Sequence, residues 1–266
     1  MPRASRNRVP NRIWHITHRC HNRNFLLRAE RTRLKWLTWL FESRKRYNIC
    51  VLNYAVTCNH VHLLVYDDEG LSSIPKSLQL TAGCTAQAYN SAHSRRGAFW
   101  EDRYHATAVE SGLHLLRCIA YIDLNMVRAN VVSHPLEWPH CGYSEIQRGK
   151  RRYQLIDYEC LMSLLDAPNH EALRRTNREI VDAVLHEGRL QREGFWSESI
   201  AVGGQKFIEQ MKKSLGQRGR MEQTTEDESQ EGTLALREPR APYGGGSERQ
   251  SHILTGDNSH PLRAVP

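Results

Sequence analysis

Hydrophobic positions along this chain recur with two different periods, and the switches between them lay out its first half. Over residues 12–21 (RIWHITHRCH), Ile13 and Ile16 alternate with polar and aromatic residues, which predicts a strand. Residues 30–47 place Leu34, Leu37 and Phe41 three and four apart, with Trp36 and Leu40 beside them. That spacing predicts an amphipathic helix, and its wetter side carries Arg31, Arg33, Lys35, Arg44, Lys45 and Arg46. Residues 49–56 (ICVLNYAV) and 61–66 (VHLLVY) are β-branched and aromatic runs on either side of the turn-like Thr57-Cys58-Asn59-His60, the pattern of a hairpin. A helix is expected over 71–89, with Pro75 near its start and Gly83 inside it. A basic loop at 91–97 (SAHSRRG), a strand within 99–109 and a long helix over 113–131 follow.

The first six elements run strand–helix–strand–strand–helix–strand. This order predicts an α+β fold of the split β-α-β, ferredoxin-like kind: a four-stranded antiparallel sheet with helices on one face. Residues 149–216 read as a helical extension, with a polar stretch at 188–194 and a last helical segment at 206–215. Beyond residue 217 the chain is rich in Glu, Gly, Ser, Pro and Arg and poor in aromatics, so a disordered tail over 217–266 is expected. The first unit is then 1–148. At 266 residues the chain has room for such a domain and its extension.

Charge sharpens the picture of partners. The net charge of +8 is uneven: residues 1–52 hold 13 Lys/Arg against only Glu30 and Glu42, whereas residues 221–266 hold 4 Arg against 8 acidic residues. A basic first segment fits a polyanion, because each neutralised phosphate releases counterions, although charge alone fits a solubilising surface equally well. The seven cysteines (Cys20, Cys50, Cys58, Cys84, Cys118, Cys141 and Cys160) are scattered, with no C-x-x-C. They read as reduced thiols of a cytoplasmic protein rather than a disulfide frame or a zinc ribbon. No apolar run approaches the roughly 20 residues of a membrane span, and the Arg-rich N-terminus lacks the apolar segment of a signal peptide.

Two features carry chemistry. His60-Val61-His62 opens a strand, and strand residues two apart point the same way, so both imidazoles converge on one side of the sheet, where they suit a divalent metal. Alone, such a pair is equally a mark of two packed strand histidines. The 113–131 helix has two apolar stripes, one through Leu113, Leu116, Ala120, Leu124, Val127 and Val131, the other through Leu115, Ile119, Ile122 and Met126. Between them run His114, Arg117, Tyr121, Asn125 and Arg128 at spacings of three and four. Tyr121 and Asn125 can share a site, and Arg117 and Arg128 could hold phosphates bidentately. A polar stripe on a half-exposed helix is the plain alternative.

Four stretches together carry a family resemblance: Trp14-His15-Ile16-Thr17-His18-Arg19, Asn59-His60-Val61-His62-Leu63-Leu64, Phe99-Trp100-Glu101-Asp102-Arg103-Tyr104, and Tyr121-Ile122-Asp123-Leu124-Asn125-Met126-Val127-Arg128-Ala129. In this order and spacing, over roughly residues 8–148, the chain resembles the HUH single-tyrosine transposases, most closely the REP-associated tyrosine transposase-like branch. The resemblance implies a metal-dependent endonuclease and strand transferase acting on single-stranded or hairpin DNA in DNA transposition. It implies that His60, His62 and Asn125 bind Mg²⁺ or Mn²⁺, and that Tyr121 forms a 5′-phosphotyrosine intermediate. Two departures stand out: Thr57-Cys58 where relatives usually carry Met-Pro, and Met126 where a Pro is common.

His15, His18, Arg19 and Arg23 are expected to line the DNA path. Arg95, Arg96, Arg103, Arg117 and Arg128 are expected to grip its backbone, and Trp14 or Trp100 to stack on an unpaired base. Tyr89, late in a helix near basic residues, is a competing nucleophile without a metal-ligand partner on its face. The expected partner is DNA, not a membrane, with the chain a monomer or homodimer. The other function class is a non-catalytic single-stranded nucleic-acid-binding module, which predicts an aromatic-rich open sheet face and indifference to metal.

Overall fold

A computed structural model describes residues 9–67, 73–149, 152–216, 223–226 and 232–237. Strand β1 (Arg12–Arg19) leads through a short turn into helix α1 (Glu30–Tyr47), then the hairpin strands β2 (Cys50–Val56) and β3 (His60–Asp67), helix α2 (Ser73–Ala92), strand β4 (His105–Val109) and helix α3 (Leu113–Asp123). Helix α1 stops where Asn48 turns left-handed at φ 49°, a conformation that asparagine tolerates. Pro75 falls in the first turn of α2, where a missing N–H costs nothing. These elements follow the alternation and helical spacing that the sequence predicts.

The sheet itself departs from expectation. Strands β2, β3, β1 and β4 are neighbours in that order and pair antiparallel, but they do not end the sheet. A short strand β5 (Ala201–Gly203) adds to β4 in parallel. Strands β6 (Gln223–Glu226) and β7 (Leu234–Arg237) then extend the order to β2-β3-β1-β4-β5-β7-β6. The four-stranded antiparallel sheet expected from the sequence is therefore a mixed, seven-stranded one among the described residues. Its added strands are three and four residues long, too short to leave an alternation pattern. Two of them come from the stretch expected to be a disordered tail, and one from the extension expected to be wholly helical; apart from Gly232 and Thr233, the remainder of 217–266 lies outside the described residues. Ala235 and Leu236 of β7 are buried, which a composition average over the tail conceals.

Helices lie on both faces, not one. Trp14, Ile16 and His18 of β1 face one way, toward α1 and α2. Those helices are tied together by Ser43 Oγ, Ser77 Oγ and Thr81 Oγ1 at 2.8 and 3.0 Å. Trp100, stacked on His18, donates from Nε1 to the Ala82 carbonyl of α2 at 3.0 Å. His15 and Thr17 face the other way, paired across the ladder with Leu64 and His62 of β3 and with Thr107 and His105 of β4. Helix α3 covers this polar face. So do α4 (Asn125–Arg128), α5 (Gly142–Arg148) and the extension, which runs through α6 (Tyr158–Leu164), α7 (His170–His186), α8 (Phe195–Glu198) and α9 (Gln205–Leu215).

One irregularity positions α3. Val51 pairs with Val65, but Asn53 pairs with Leu64, so the extra residue Leu52 bulges and turns Asn53 onto the α3 face. There Asn53 Nδ2 donates to Asp123 Oδ1 at 3.0 Å. Tyr143 N donates to the same oxygen at 3.1 Å, and Asn177 Nδ2 to Asp123 Oδ2 at 3.1 Å. Gly142 is required beside this hub, since a Cβ there would stand 1.8 Å from Asn53 Oδ1. Burial pushes the Asp123 carboxyl up to about 7, while the Asn53, Asn177 and Tyr143 donors pull it down. The hub joins β2, α3, α5 and α7 behind the helix that carries Tyr121. Asp123→Ala would strand three buried donors, each worth on the order of 1–3 kcal/mol. A fall in stability of roughly 3 kcal/mol or more is expected, read as a lower urea midpoint at unchanged slope; an unchanged midpoint would refute the hub.

Candidate active site

His60 and His62 stand two apart on β3 and, as the strand period requires, share the face that α3 covers. Their rings lie 4.7 Å apart, nearly perpendicular. His62 is 2% exposed, and its Nδ1 lies 2.9 Å from Nε2 of His15, which is 1% exposed. His15 Nδ1 in turn donates to the Trp196 carbonyl of α8 at 2.7 Å. On its outer side, His62 Nε2 accepts from the Asn125 amide at 2.8 Å. His60 is held within its own turn: its Nδ1 lies 2.8 Å from Asn59 Oδ1 and 2.9 Å from Thr57 Oγ1. The Thr57 hydroxyl gives its proton to the His60 carbonyl at 2.8 Å, so the ring Nδ1–H is the donor in that pair. The Thr57-Cys58 departure thus places a ring-orienting hydroxyl beside His60.

Burial dominates the titration of all three rings. It brings His15 and His60 down to about 4 and holds His62 well below its ordinary value, with neighbouring histidines and Arg19 or Arg128 adding to the effect. Neutral imidazoles with Nδ1 protonated leave Nε2 of His60 and His62 as lone pairs, the form in which histidine ligates a metal. Asn125 is a hydrogen-bond partner of His60 as well as His62, so the three side chains meet at one point. Among the described residues no three His, Cys, Asp or Glu side chains form a metal-ligand set. A divalent ion here would take its third protein ligand from the Asn125 amide oxygen, and the observed donor set fits that.

Tyr121 arrives from α3, its ring centroid 6.0 Å from His62 and 6.1 Å from His15. The helix breaks at Leu124 and resumes as α4, so the single helix expected over 113–131 is two pieces. Leu124 N still bonds the Ala120 carbonyl and Arg128 N the Leu124 carbonyl, which keeps Tyr121 and Asn125 on one side. Asn130, left-handed at φ 53°, ends the run before Val131. Arg128 lies over the Tyr121 ring, its guanidinium carbon 4.2 Å from the centroid, and donates to the Tyr121 carbonyl. Burial raises the Tyr121 phenol above its ordinary value, while Arg128 and a hydrogen bond to Ser197 of α8 oppose that rise.

These groups open on a cavity of about 950 Å³. His60, Tyr121, Asn125 and Arg128 line it, and so do His18, Arg19 and Arg103 among the residues expected along a DNA path. Other expected contacts fall elsewhere. His15 is buried behind His62 and cannot meet DNA, because alternation aims it at the covered sheet face. Arg117 leaves the cavity and donates to Thr233 Oγ1 at 3.1 Å, since the helix twist carries its end of the polar stripe to the C-terminal strands. Arg95 braces its own loop by donating to Asn90 Oδ1 and the Gly97 and Ala98 carbonyls; Arg96 and Arg23 are exposed and do not line the cavity. Trp14 is buried, and Trp100 is engaged with His18 and α2. Tyr89 stacks on His93 at 4.1 Å, outside the cavity lining.

Sequence reasoning missed the extension's share. Arg192, Ser197 and Glu198 near α8, and Arg237 of β7, complete the cavity. Arg192 is paired to Glu198 at 2.5 Å, and Arg237 Nε has no hydrogen-bond partner among the described residues. The one local signal was the aromatic pair Phe195-Trp196 in an otherwise polar stretch.

The family model described as "Transposase IS200 like" matches residues 8–125, a little under half of the chain. No curated protein matches it. A solved structure described as a REP-associated tyrosine transposase bound to a REP hairpin is similar at 16% identity and a TM-score of 0.44, covering 59% of this chain and 94% of its own. A second, described as a putative transposase from Deinococcus radiodurans R1, is similar at 16% identity and a TM-score of 0.33, covering 48% of this chain and 97% of its own.

Ring-resolved nuclear magnetic resonance offers a check on the electrostatics. His15 and His60 are expected to titrate near pH 4 rather than 6.5, staying neutral through the range where a free imidazole charges. Midpoints near 6.5 would show the rings to be solvated.

Proposed function

Residues 8–125 belong to the IS200-like transposase family, and from that premise we propose that this chain nicks and rejoins single-stranded DNA on a ferredoxin-like core made of β2, β3, β1 and β4. The observation that carries this reading is the meeting of His60, Asn125 and Tyr121 at the wall of one cavity, with His62 directly behind them on Asn125 and arginines also lining the cavity. A metal ion, Mg²⁺ or Mn²⁺, held by His60, His62 and Asn125 would polarise the scissile phosphate and offset charge developing in the transition state.

The remaining chemistry belongs to side chains. Tyr121 Oη attacks phosphorus; the Oη–P bond forms, the P–O3′ bond breaks, and the departing 3′ oxygen takes up a proton. The product is a 5′-phosphotyrosine and a free 3′-hydroxyl. Attack by a different 3′-hydroxyl reverses the step with the phenolate as leaving group, so joining requires no ATP. A free tyrosine has a pKa near ~10. The Arg128 guanidinium over the ring favours the phenolate and so counters the effect of burial. Arg19, Arg103 and Arg128 bind the phosphate backbone, with Arg192 and Arg237 reaching the same cavity from the extension. Tyr121 is only 6% exposed at the cavity wall, which favours a flexible unpaired strand over a stiff duplex as the reacting partner. The substrate is therefore taken to be single-stranded DNA, with hairpin or palindromic repeats supplying the paired portion outside the cavity.

A non-catalytic module of the RNA-recognition kind would use an open aromatic sheet face. Here α1 and α2 cover one face, and α3 and α8 the other.

Labelled hairpin-bearing single-stranded DNA with Mn²⁺ tests the reading. The chain is expected to form a covalent adduct that survives denaturing gels, and Tyr121→Phe to lose it by on the order of 10³-fold or more. His60→Ala should abolish metal-dependent cleavage, and an adduct persisting in Tyr121→Phe would overturn the nucleophile. Arg103 is exposed at the cavity, so Arg103→Ala should leave the fold intact, weaken DNA binding about equally for all sequences, and reduce the salt slope by about one. An unchanged salt slope would remove Arg103 from the DNA path.

A further inference from the structure

Resting on the reading of His60, His62 and Asn125 as metal ligands, we propose that His15 is a positioning residue: backed by the Trp196 carbonyl, it locks His62 into the tautomer whose Nε2 faces the metal position as a free lone pair. The argument is a count of protons along one line of atoms. The Trp196 carbonyl has only lone pairs, so at 2.7 Å it requires a proton on His15 Nδ1. A neutral His15 then has a bare Nε2, and at 2.9 Å this requires the proton on His62 Nδ1. His62 Nε2 is left bare, aimed at Asn125 at 2.8 Å.

Every other arrangement of neutral rings sets two lone pairs or two N–H groups against each other. His62 with its proton on Nε2 would face His15 lone pair to lone pair. A flipped His15 tautomer would turn its bare Nδ1 onto the Trp196 carbonyl. Doubly protonated His15 would put a cation on a ring that is 1% exposed and whose polar partners are a carbonyl and a second imidazole. An outer partner of this kind fixes the tautomer and orientation of a ligating histidine.

The two ligand histidines are fixed from different distances. His60 is oriented by Thr57 and Asn59 in its own turn, whereas the line that orients His62 ends 181 residues beyond His15. The extension is thereby part of the metal centre, although none of its side chains would touch the ion through this route. Removing His15 should disturb His62 and leave His60 as it is.

The experiment uses the full-length chain with histidine-ring ¹⁵N labelling and no metal, followed by Mn²⁺ titration read by electron paramagnetic resonance. In the wild type, His62 is expected as a single tautomer, protonated on Nδ1. His15→Phe should release it into a mixture of tautomers and weaken Mn²⁺ binding by about 10–100-fold. His15→Gln, whose amide oxygen can accept from His62 Nδ1, should restore most of that affinity. A wild-type His62 protonated on Nε2 would overturn the proposal without any variant having to fold. A His15→Phe chain with unchanged Mn²⁺ affinity and unchanged His62 signals would overturn it while leaving the ligand assignment standing. Mn²⁺ binding indifferent to His60→Ala would instead overturn the ligand assignment, and this inference with it.

Discussion

Two histidines buried side by side on a sheet face must find partners for four ring nitrogens, and much of this molecule is arranged around meeting that requirement. His15 and His62 satisfy one nitrogen each by bonding to one another, and the outer two by the Trp196 carbonyl and the Asn125 amide. Each partner comes from a different part of the chain: β1, β3, α8 and the helix after Tyr121. An imidazole left unpaired here would cost about as much as a lost buried hydrogen bond, so the arrangement ties α4 and α8 to the sheet as well as shaping the site.

The same requirement explains why the polar sheet face is covered by the extension. A helix four residues long leaves its carbonyls without intrahelical donors. At α8 and its end, those of Trp196 and Ser199 are met by His15, by Thr107 at 2.6 Å and by His105 at 2.9 Å. Strand β5 follows directly and joins β4, so the chain that supplies these acceptors is stitched into the sheet. The residues beyond the family-matched segment thus complete both the hydrogen bonding of this polar face and the wall of the cavity.

Charge and burial work against each other at Tyr121. Enclosure under α8 raises the phenol, whereas Arg128 over its ring and Ser197 beside it lower it. Arg128 also bonds the Tyr121 carbonyl, which fixes the guanidinium at the cavity wall where it opposes the burial penalty.

Much of the first half was legible in the residue pattern, because it rests on local periodicity. Helix α1 begins and ends where the spacing of Trp36, Leu37 and Leu40 says it should, and His60 and His62 share a face because a strand has no other choice. The Tyr121–Asn125 spacing survived even a break at Leu124, since one turn separates them either way. What the sequence could not disclose depends on contacts between distant residues. The bulge at Leu52 is a one-residue slip in register, and the burial of His15, the diversion of Arg117 to Thr233 and the docking of β5 on β4 are decided by partners up to 181 positions away. Local pattern determined which residue types stand on which face; only tertiary packing decided which of those faces meet, and so turned a histidine expected to contact DNA into a buried support behind His62.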